Sequence, residues 1–121
     1  MELNTFCTLG DIIRILRKQY LEQDGNAFYN SENWFIYTAG EEAEFRLDTP
    51  CAIAARPDYD DERGLEILPA IVDEHRLYGE LMPETLEGVI ASALDQKRNA
   101  SEEELLRALN YYAEQDGFLP F

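Results

Sequence analysis

The sequence is short of the residues that metal sites and redox centres usually need. It contains one histidine, His75, and two cysteines, Cys7 and Cys51, which lie far apart in the sequence. No CxxC pair and no histidine cluster accompany them, so neither a zinc site nor a thioredoxin-like motif is indicated. We therefore predict two buried, free thiols in a reducing compartment. The sequence alone leaves a bridge between them open.

Motifs for catalysis and cofactor binding are also missing. The seven glycines are scattered and form neither a dinucleotide-binding fingerprint nor a Walker loop. No serine stands in a G-x-S-x-G turn, and His75 lies between charged residues, a setting typical of a surface histidine. A small enzyme that uses His75 would have to assemble distant residues without a local signature. We predict that the protein is not an enzyme and that it binds no cofactor.

Long apolar runs are absent as well. No run approaches the roughly 20 apolar residues that are needed to cross a bilayer. The N-terminal stretch MELNTFCTLGD has neither the basic start nor the apolar segment of a signal peptide. We therefore expect a cytoplasmic protein with no membrane partner. With 121 residues, of which 45% are apolar, the chain is expected to form a single globular domain over residues 1–121.

Positive charge is scarce. Ten lysine and arginine residues stand against 25 acidic residues, which gives a formal net charge of -15. More than half of this negative charge comes from residues 21–62. Such a surface repels the phosphates of nucleic acids and attracts basic protein surfaces, so we expect no binding to nucleic acid. Solubility alone is the competing explanation of the charge.

Three segments have the apolar spacing of amphipathic helices. They are residues 8–22, residues 83–99 and the stretch that begins at Ser101. Thr8 is followed three residues later by Asp11, and Ser101 by Glu104, and this spacing predicts a capping box at the start of each helix. A fourth segment, LPAIVDEHRLYGEL, is ambiguous and is consistent with a short helix that is broken at Gly79.

Three further segments have the composition of strands. They are WFIYT at residues 34–38, EFRLD at residues 44–48 and CAIAA at residues 51–55. The glycine-containing connection AGEEA between the first two predicts a hairpin. CAIAA has no charged residue, which favours a central strand. We therefore predict an α+β fold, with a small sheet of about three strands packed against three to four helices.

An acidic loop is predicted directly after the third strand, in ARPDYDDERG at residues 55–64. Its tyrosine and carboxylates are Asp58, Tyr59, Asp60, Asp61 and Glu62. Carboxylates this close repel one another, so the loop calls for a cation, a basic partner or full solvation. Counted from Asp58 as a calcium loop, position six is Arg63 rather than glycine, and position twelve is Pro69 rather than glutamate. We therefore predict no metal site here.

A tyrosine among carboxylates is typical of protein interfaces, because the rigid ring anchors the contact while the charges steer a cationic partner. We predict that the acidic loop binds a partner through Tyr59, and that Tyr111 adds a second exposed ring on the polar face of the last helix. A second acidic patch is predicted on the first hairpin, from Glu41, Glu42 and Glu44. The competing interpretation is that another helix covers Tyr111 and that Arg56 or Arg63 covers Tyr59.

The order of WFIYT, DTPCAIA with acids following, and LLRALNYYAEQDGF resembles small acidic bacterial immunity proteins of polymorphic toxin systems, including contact-dependent growth inhibition. The resemblance extends over residues 34–118. It implies a cytoplasmic protein that binds one cognate toxin domain, often a basic nuclease, and occludes its active site or substrate groove. It implies no catalytic residue. An acidic regulatory adaptor that binds a basic housekeeping partner is the alternative.

Overall fold

Four helices and six short strands are formed by residues 3–23, 34–39 and 44–121, which are the residues that the computed structural model describes. In chain order the elements are β1 (Thr5–Thr8), α1 (Leu9–Gln23), β2 (Phe35–Thr38), β3 (Pro50–Ala54), β4 (Asp58–Asp60), β5 (Leu65–Ile67), α2 (Ala70–His75), β6 (Gly79–Leu81), α3 (Pro83–Gln96) and α4 (Glu102–Gln115). This architecture confirms the predicted α+β fold with a small sheet.

The main sheet is antiparallel and has the strand order β1, β3, β2, β6. The uncharged strand β3 lies between β1 and β2, and its last four residues are buried. Strands with no solvated face need apolar residues on both sides, which explains the absence of charge. The predicted central position of this strand is confirmed.

The two faces of the sheet differ in what covers them. On the inner face, Ile36 and Ile53 pack in one large cluster with α1, α3 and α4. On the outer face, Phe35 and Tyr37 form a smaller cluster with Ala52, Ala54 and two residues of the α2 region, Val72 and Leu77. The alternation of side chains along each strand separates these clusters. The molecule therefore has a thick helical layer on one side and a thin cover on the other.

The predicted strand at residues 44–48 is wrong. These residues form irregular structure and a turn, and β2 pairs with β3 and β6 instead. The turn is held by two hydrogen bonds between Arg46 and Thr49. The carbonyl groups of Leu47 and Thr49 accept hydrogen bonds from the first amides of α1, those of Gly10 and Leu9. The segment thus satisfies the amide groups of a helix N-terminus, which have no partner within the helix.

Both predicted capping boxes are present. Thr8 and Asp11 exchange hydrogen bonds between side chain and backbone at the start of α1. Ser101 and Glu104 do the same at the start of α4. Each side chain satisfies an amide that the helix leaves unpaired. The two helix starts are therefore fixed by residues only three positions apart in the sequence.

Two strands of the main sheet were not predicted. β1 contributes its four residues immediately before α1, and β6 contributes three residues between α2 and α3. In the ambiguous segment, a short helix ends at His75 and the strand begins at Gly79. Strands of three or four residues contain at most two alternations of polarity, which is too few to distinguish them from a loop.

Gly10 is expected to be required for stability, since it lies against the backbone of the turn at residues 46–49. A Cβ atom at this position would lie 2.9 Å from the oxygen and 3.3 Å from the Cβ of Leu47. We expect Gly10→Ala to lower the free energy of unfolding by about 1–2 kcal/mol. The steric cost of the clash is expected to exceed the roughly 1 kcal/mol by which alanine stabilises a helix relative to glycine. Urea unfolding measures this change.

The matched control is Gly88→Ala in α3. There the added Cβ would lie 3.8 Å from a ring carbon of Phe118, an ordinary contact. We expect this variant to be as stable as the unmodified protein, or more stable by up to about 1 kcal/mol. Equal stability of the two alanine variants would contradict the proposed role of the close approach at Gly10.

Candidate protein-interaction site

The predicted acidic loop is a β-hairpin. Strands β4 and β5 pair antiparallel, with Asp58 opposite Ile67, Tyr59 opposite Glu66 and Asp60 opposite Leu65. Tyr59 and Glu66 therefore share one face of the hairpin, while Leu65 and Ile67 share the other face with the two aspartates. The description as an irregular loop is corrected accordingly. Each strand has only three residues, so its alternation was too short to recognise.

The turn of the hairpin is held by Asp60 and Gly64. One carboxylate oxygen of Asp60 accepts hydrogen bonds from the amides of Glu62 and Arg63, at 3.0 and 3.3 Å. The amide of Gly64 donates to the carbonyl of Asp60, and Gly64 has a φ of 66°, a left-handed conformation that glycine adopts without a steric penalty. Asp60 therefore stabilises the turn, whereas Asp61 and Glu62 are exposed beside it.

The hairpin exposes apolar surface. No residue of β4 or β5 is buried, and the exposed fractions are 59% for Tyr59, 58% for Leu65 and 51% for Ile67. An isolated two-stranded hairpin is only marginally stable in water, since its strands gain little from burial. Three large apolar or aromatic side chains exposed on one short element make the hairpin a candidate for contact with another molecule.

Neither arginine near the hairpin covers Tyr59. Arg56 forms an ion pair with Glu84 at 2.5 Å and places its guanidinium group 5.7 Å from the centre of the Phe35 ring. Arg63 forms an ion pair with Asp60 at 3.7 Å. Because Tyr59 remains more than half exposed, the interpretation that an arginine shields its ring is wrong.

Glu66 connects the hairpin with the outer face of the main sheet. Partial burial raises the pKa of Glu80 on β6, and the charge of Glu66 and a hydrogen bond with it raise this pKa further. Burial, followed by the charges of Glu80 and Glu66, raises the pKa of Tyr37 to about 12, and its hydroxyl donates to the carbonyl of Ala55 at 2.8 Å. Two carboxyl groups therefore lie close together between the hairpin and β6, where a positive charge would be stabilised.

The structure places Tyr111 and Glu44 elsewhere. Tyr111 lies on α4, in the helical layer on the inner face, and it is partly buried rather than fully exposed. Asn110 donates to the carbonyl of Phe45 and accepts from its amide, which docks the exposed Glu44 beside the same helix. These two residues are not brought to the hairpin. Glu41 and Glu42 lie outside the described residues.

Two residues of the candidate site were missed by the sequence analysis, namely Leu65 and Ile67. The signal was present as DYD and LEI on either side of DERG, which is the pattern of a hairpin whose turn ends in glycine. Four acidic side chains within residues 58–62 drew attention to charge, and the short apolar alternation after the turn was overlooked. The hairpin combines both kinds of residue on one element.

Other kinds of site find little support in the part of the chain that the structure describes. Within residues 3–23, 34–39 and 44–121, no group of three histidine, cysteine, aspartate or glutamate side chains is arranged to hold a metal ion. No helix in these same ranges has the length and apolar character needed to cross a membrane. His75 is exposed and stacks on the ring of Phe6, with ring centres 4.0 Å apart.

Removing the charge of Glu80 is expected to stabilise the protein at neutral pH. The folded state raises the pKa of Glu80 above its usual value, so folding becomes less favourable as the pH rises through this pKa and the group ionises. We expect Glu80→Gln to raise the free energy of unfolding by about 0.5 kcal/mol at pH 7, since solvent screens much of the repulsion. The gain should disappear at about pH 3, below the usual pKa of glutamate, because the carboxyl group is then protonated in both the folded and the unfolded protein.

Urea unfolding at both pH values measures this effect, and Glu66→Gln should reproduce much of it. The double variant should gain less than the sum of the two single variants, because either substitution removes the same repulsion. Glu114→Gln, which removes an exposed charge from α4, serves as the control and should leave stability unchanged. A loss of stability in Glu80→Gln at pH 7 would contradict the proposed repulsion.

One protein family matches nearly the whole chain. A family model described as Domain of unknown function (DUF7716) matches residues 8–121, from the end of β1 to the last residue. This range includes the β4–β5 hairpin and all four helices. Searches of curated proteins and of solved structures found no match. The chain belongs to the DUF7716 family.

Proposed function

We propose that the protein binds a basic protein domain through the β4–β5 hairpin and neutralises it, as an immunity protein neutralises its cognate toxin domain. The observation that carries the proposal is the exposure of Tyr59 on one face of the hairpin and of Leu65 and Ile67 on the other face, each by more than half. The same hairpin also bears Asp58, Asp61 and Glu62, so a partner that encloses it would contact both faces. Apolar and aromatic anchors with a polar rim are the usual composition of a protein-binding surface.

The contributions of the two kinds of residue are different. The ring of Tyr59 and the side chains of Leu65 and Ile67 contribute favourably to the free energy of binding when a partner removes them from water. The surrounding carboxylates raise the rate of association with a basic surface and reject acidic surfaces. Lysine or arginine from the partner would also relieve the repulsion between Glu66 and Glu80. We confine the proposal to the hairpin because Tyr111 and Glu44 lie on the helical side.

The charge of the hairpin and the resemblance to immunity proteins support a basic nuclease domain as the partner. A nuclease binds the phosphates of its substrate with a basic groove, and the exposed carboxylates of the hairpin would occupy the positions of those phosphates. The proposal is therefore stoichiometric inhibition of a basic nuclease domain in the cytoplasm, by occlusion of its substrate groove. The inhibitor itself needs no catalytic residue, metal or cofactor for this function.

The direct test is capture of the partner. The purified protein is immobilised, native lysate is passed over it at increasing salt concentration, and the retained proteins are identified by mass. We expect one basic protein, the C-terminal domain of a large secreted protein, to be retained at high salt. Retention of a basic housekeeping protein would favour the regulatory adaptor. Retention of ribosomal proteins that elute with salt would show only nonspecific attraction and would contradict the proposal.

Neutralising the tip of the hairpin is expected to weaken binding mainly through association. Asp61→Asn combined with Glu62→Gln removes two exposed charges and leaves Asp60, which holds the turn, in place. Two charges at the rim of an interface contribute about 1 kcal/mol, so we expect about fivefold weaker binding of the captured partner and a shallower salt dependence. Binding kinetics over a salt series measure both quantities.

The matched control removes two charges from α4 with Glu103→Gln and Glu114→Gln, which are exposed on the helical side. This control has the same net charge as the hairpin variant, so it separates a local contact from the general field of the protein. We expect its affinity to remain near that of the unmodified protein. Equal weakening in both variants would mean that the partner senses only the total charge.

A further inference from the structure

We propose that Cys7 and Cys51 of the folded protein form a disulfide bond on reaction with a small-molecule disulfide. This bond would link the edge strand β1 covalently to the central strand β3. The two residues are directly opposite each other in the antiparallel pair of β1 and β3. Both thiols are free in the structure. The bond would form whether or not a partner is bound.

The geometry of the strand pair is suited to a bridge. Residues directly opposite each other in antiparallel strands have Cα atoms about 4.5–5.5 Å apart, within the range of about 4.4–6.8 Å found in disulfides. Both side chains point to the inner face, since Cys51 is buried in the inner cluster and Cys7 packs against the same cluster. A bond between the sulfur atoms therefore requires no change in strand register.

The reaction consists of two exchange steps with oxidised glutathione as the disulfide. Cys7 is only partly buried, so its thiolate attacks one glutathione sulfur, which forms a mixed disulfide and releases one glutathione thiolate. The thiolate of Cys51 then attacks the sulfur of Cys7 and releases the second glutathione. The protein loses two electrons and two protons in total, and glutathione disulfide is reduced to two thiols.

The environment of the thiols makes this reaction slow at neutral pH. Burial raises the pKa of Cys7 to about 11, with a smaller contribution from the nearby Asp11 carboxylate. Burial also raises the pKa of Cys51 to about 12. Since the thiolate is the attacking species, the rate should increase about tenfold for each pH unit between neutral pH and about pH 9. The bridge therefore responds to sustained oxidation and not to brief exposure.

The bond would add stability at one edge of the sheet. It would close a loop of about 45 residues, and cross-links of this size lower the entropy of the unfolded chain substantially. It would also hold the start of α1, because Thr8 of the capping box follows Cys7 directly. We expect the melting temperature of the oxidised protein to exceed that of the reduced protein by about 10 °C.

The test incubates the folded protein with oxidised glutathione at about pH 8.5, where the thiolates are more abundant. Intact mass, peptide mapping without reductant and thermal unfolding are the measurements. We expect a product lighter by two hydrogen atoms, a peptide that joins Cys7 to Cys51, and the higher melting temperature. In Cys51→Ala the reaction should stop at a glutathione adduct on Cys7, and in Cys7→Ala the buried Cys51 should remain unmodified.

Three results would overturn the proposal. The first is a stable glutathione adduct on the unmodified protein without a bridge. The second is no reaction of the folded protein under conditions that oxidise it in denaturant. The third is a bridge that leaves the melting temperature unchanged or lowers it, because the bond would then strain the strand pair.

Discussion

Tyr59→Ala is expected to weaken binding of the captured partner by about 30-fold, which corresponds to about 2 kcal/mol. The ring is 59% exposed in the unbound protein, so it has a large surface to bury when a partner covers it. It lies on a hairpin whose turn is held without it, by the hydrogen bonds of the Asp60 carboxylate and the backbone bond of Gly64. Calorimetric titration of the partner measures the loss of affinity.

Two further variants decide whether the ring itself is the anchor. Tyr59→Phe keeps the apolar ring and should retain most of the affinity, because burial of the ring carries the contact. Tyr111→Ala removes a tyrosine from the helical side and should change the affinity by less than about twofold, as expected outside a binding hot spot. A large loss in Tyr111→Ala together with no loss in Tyr59→Ala would move the interface to α4.

The largest effect on stability is expected from Leu109→Ala. Leu109 is 1% exposed and connects α4 with the inner cluster, where α1 and α3 also pack. Truncating a buried leucine removes its contacts and leaves a cavity that the rigid neighbours fill only in part. We expect the free energy of unfolding to fall by about 3–4 kcal/mol, within the usual range for such a change. Urea unfolding with an unchanged slope would measure it.

Leu65→Ala is the matched control for the same chemical change. Its side chain is 58% exposed on β5, so the folded protein loses little burial, and we expect a change below about 0.5 kcal/mol. The same variant should weaken partner binding, since the proposal makes Leu65 an anchor. Comparable destabilisation by the two variants would mean that the hairpin is part of the core, which would contradict its role as a free binding surface.

The contrast between Leu109 and Leu65 shows when the burial of a side chain can be predicted from the local sequence pattern. Leu109 belongs to a helix of 14 residues whose apolar stripe repeats over several turns, and its burial was predictable from this period. Leu65 belongs to a strand of three residues, where one alternation is all that is available. The anchors of the candidate site were missed for this reason, while its charges were visible in the composition.

The charges themselves were only partly informative. Four carboxylates were assigned to one acidic loop, yet Asp60 accepts hydrogen bonds from the turn and supports the hairpin. Glu66, which faces Glu80 on another strand, was not assigned at all. Pairing between strands determines which carboxyl groups meet, and a linear sequence does not contain that pairing.

By itself, the sequence determined the three long helices, with the two capping boxes and the pattern of their buried faces, and the two strands β2 and β3. These features depend on residues a few positions apart, and local hydrogen bonds and periodicity are enough to specify them. Only the tertiary structure decided that β2 pairs with β6 rather than with residues 44–48, and that the acidic segment folds back on β5.

It also decided that Cys7 lies opposite Cys51. The physical reason is that a short strand gains its stability from its neighbours and from burial, which depend on residues far away along the chain.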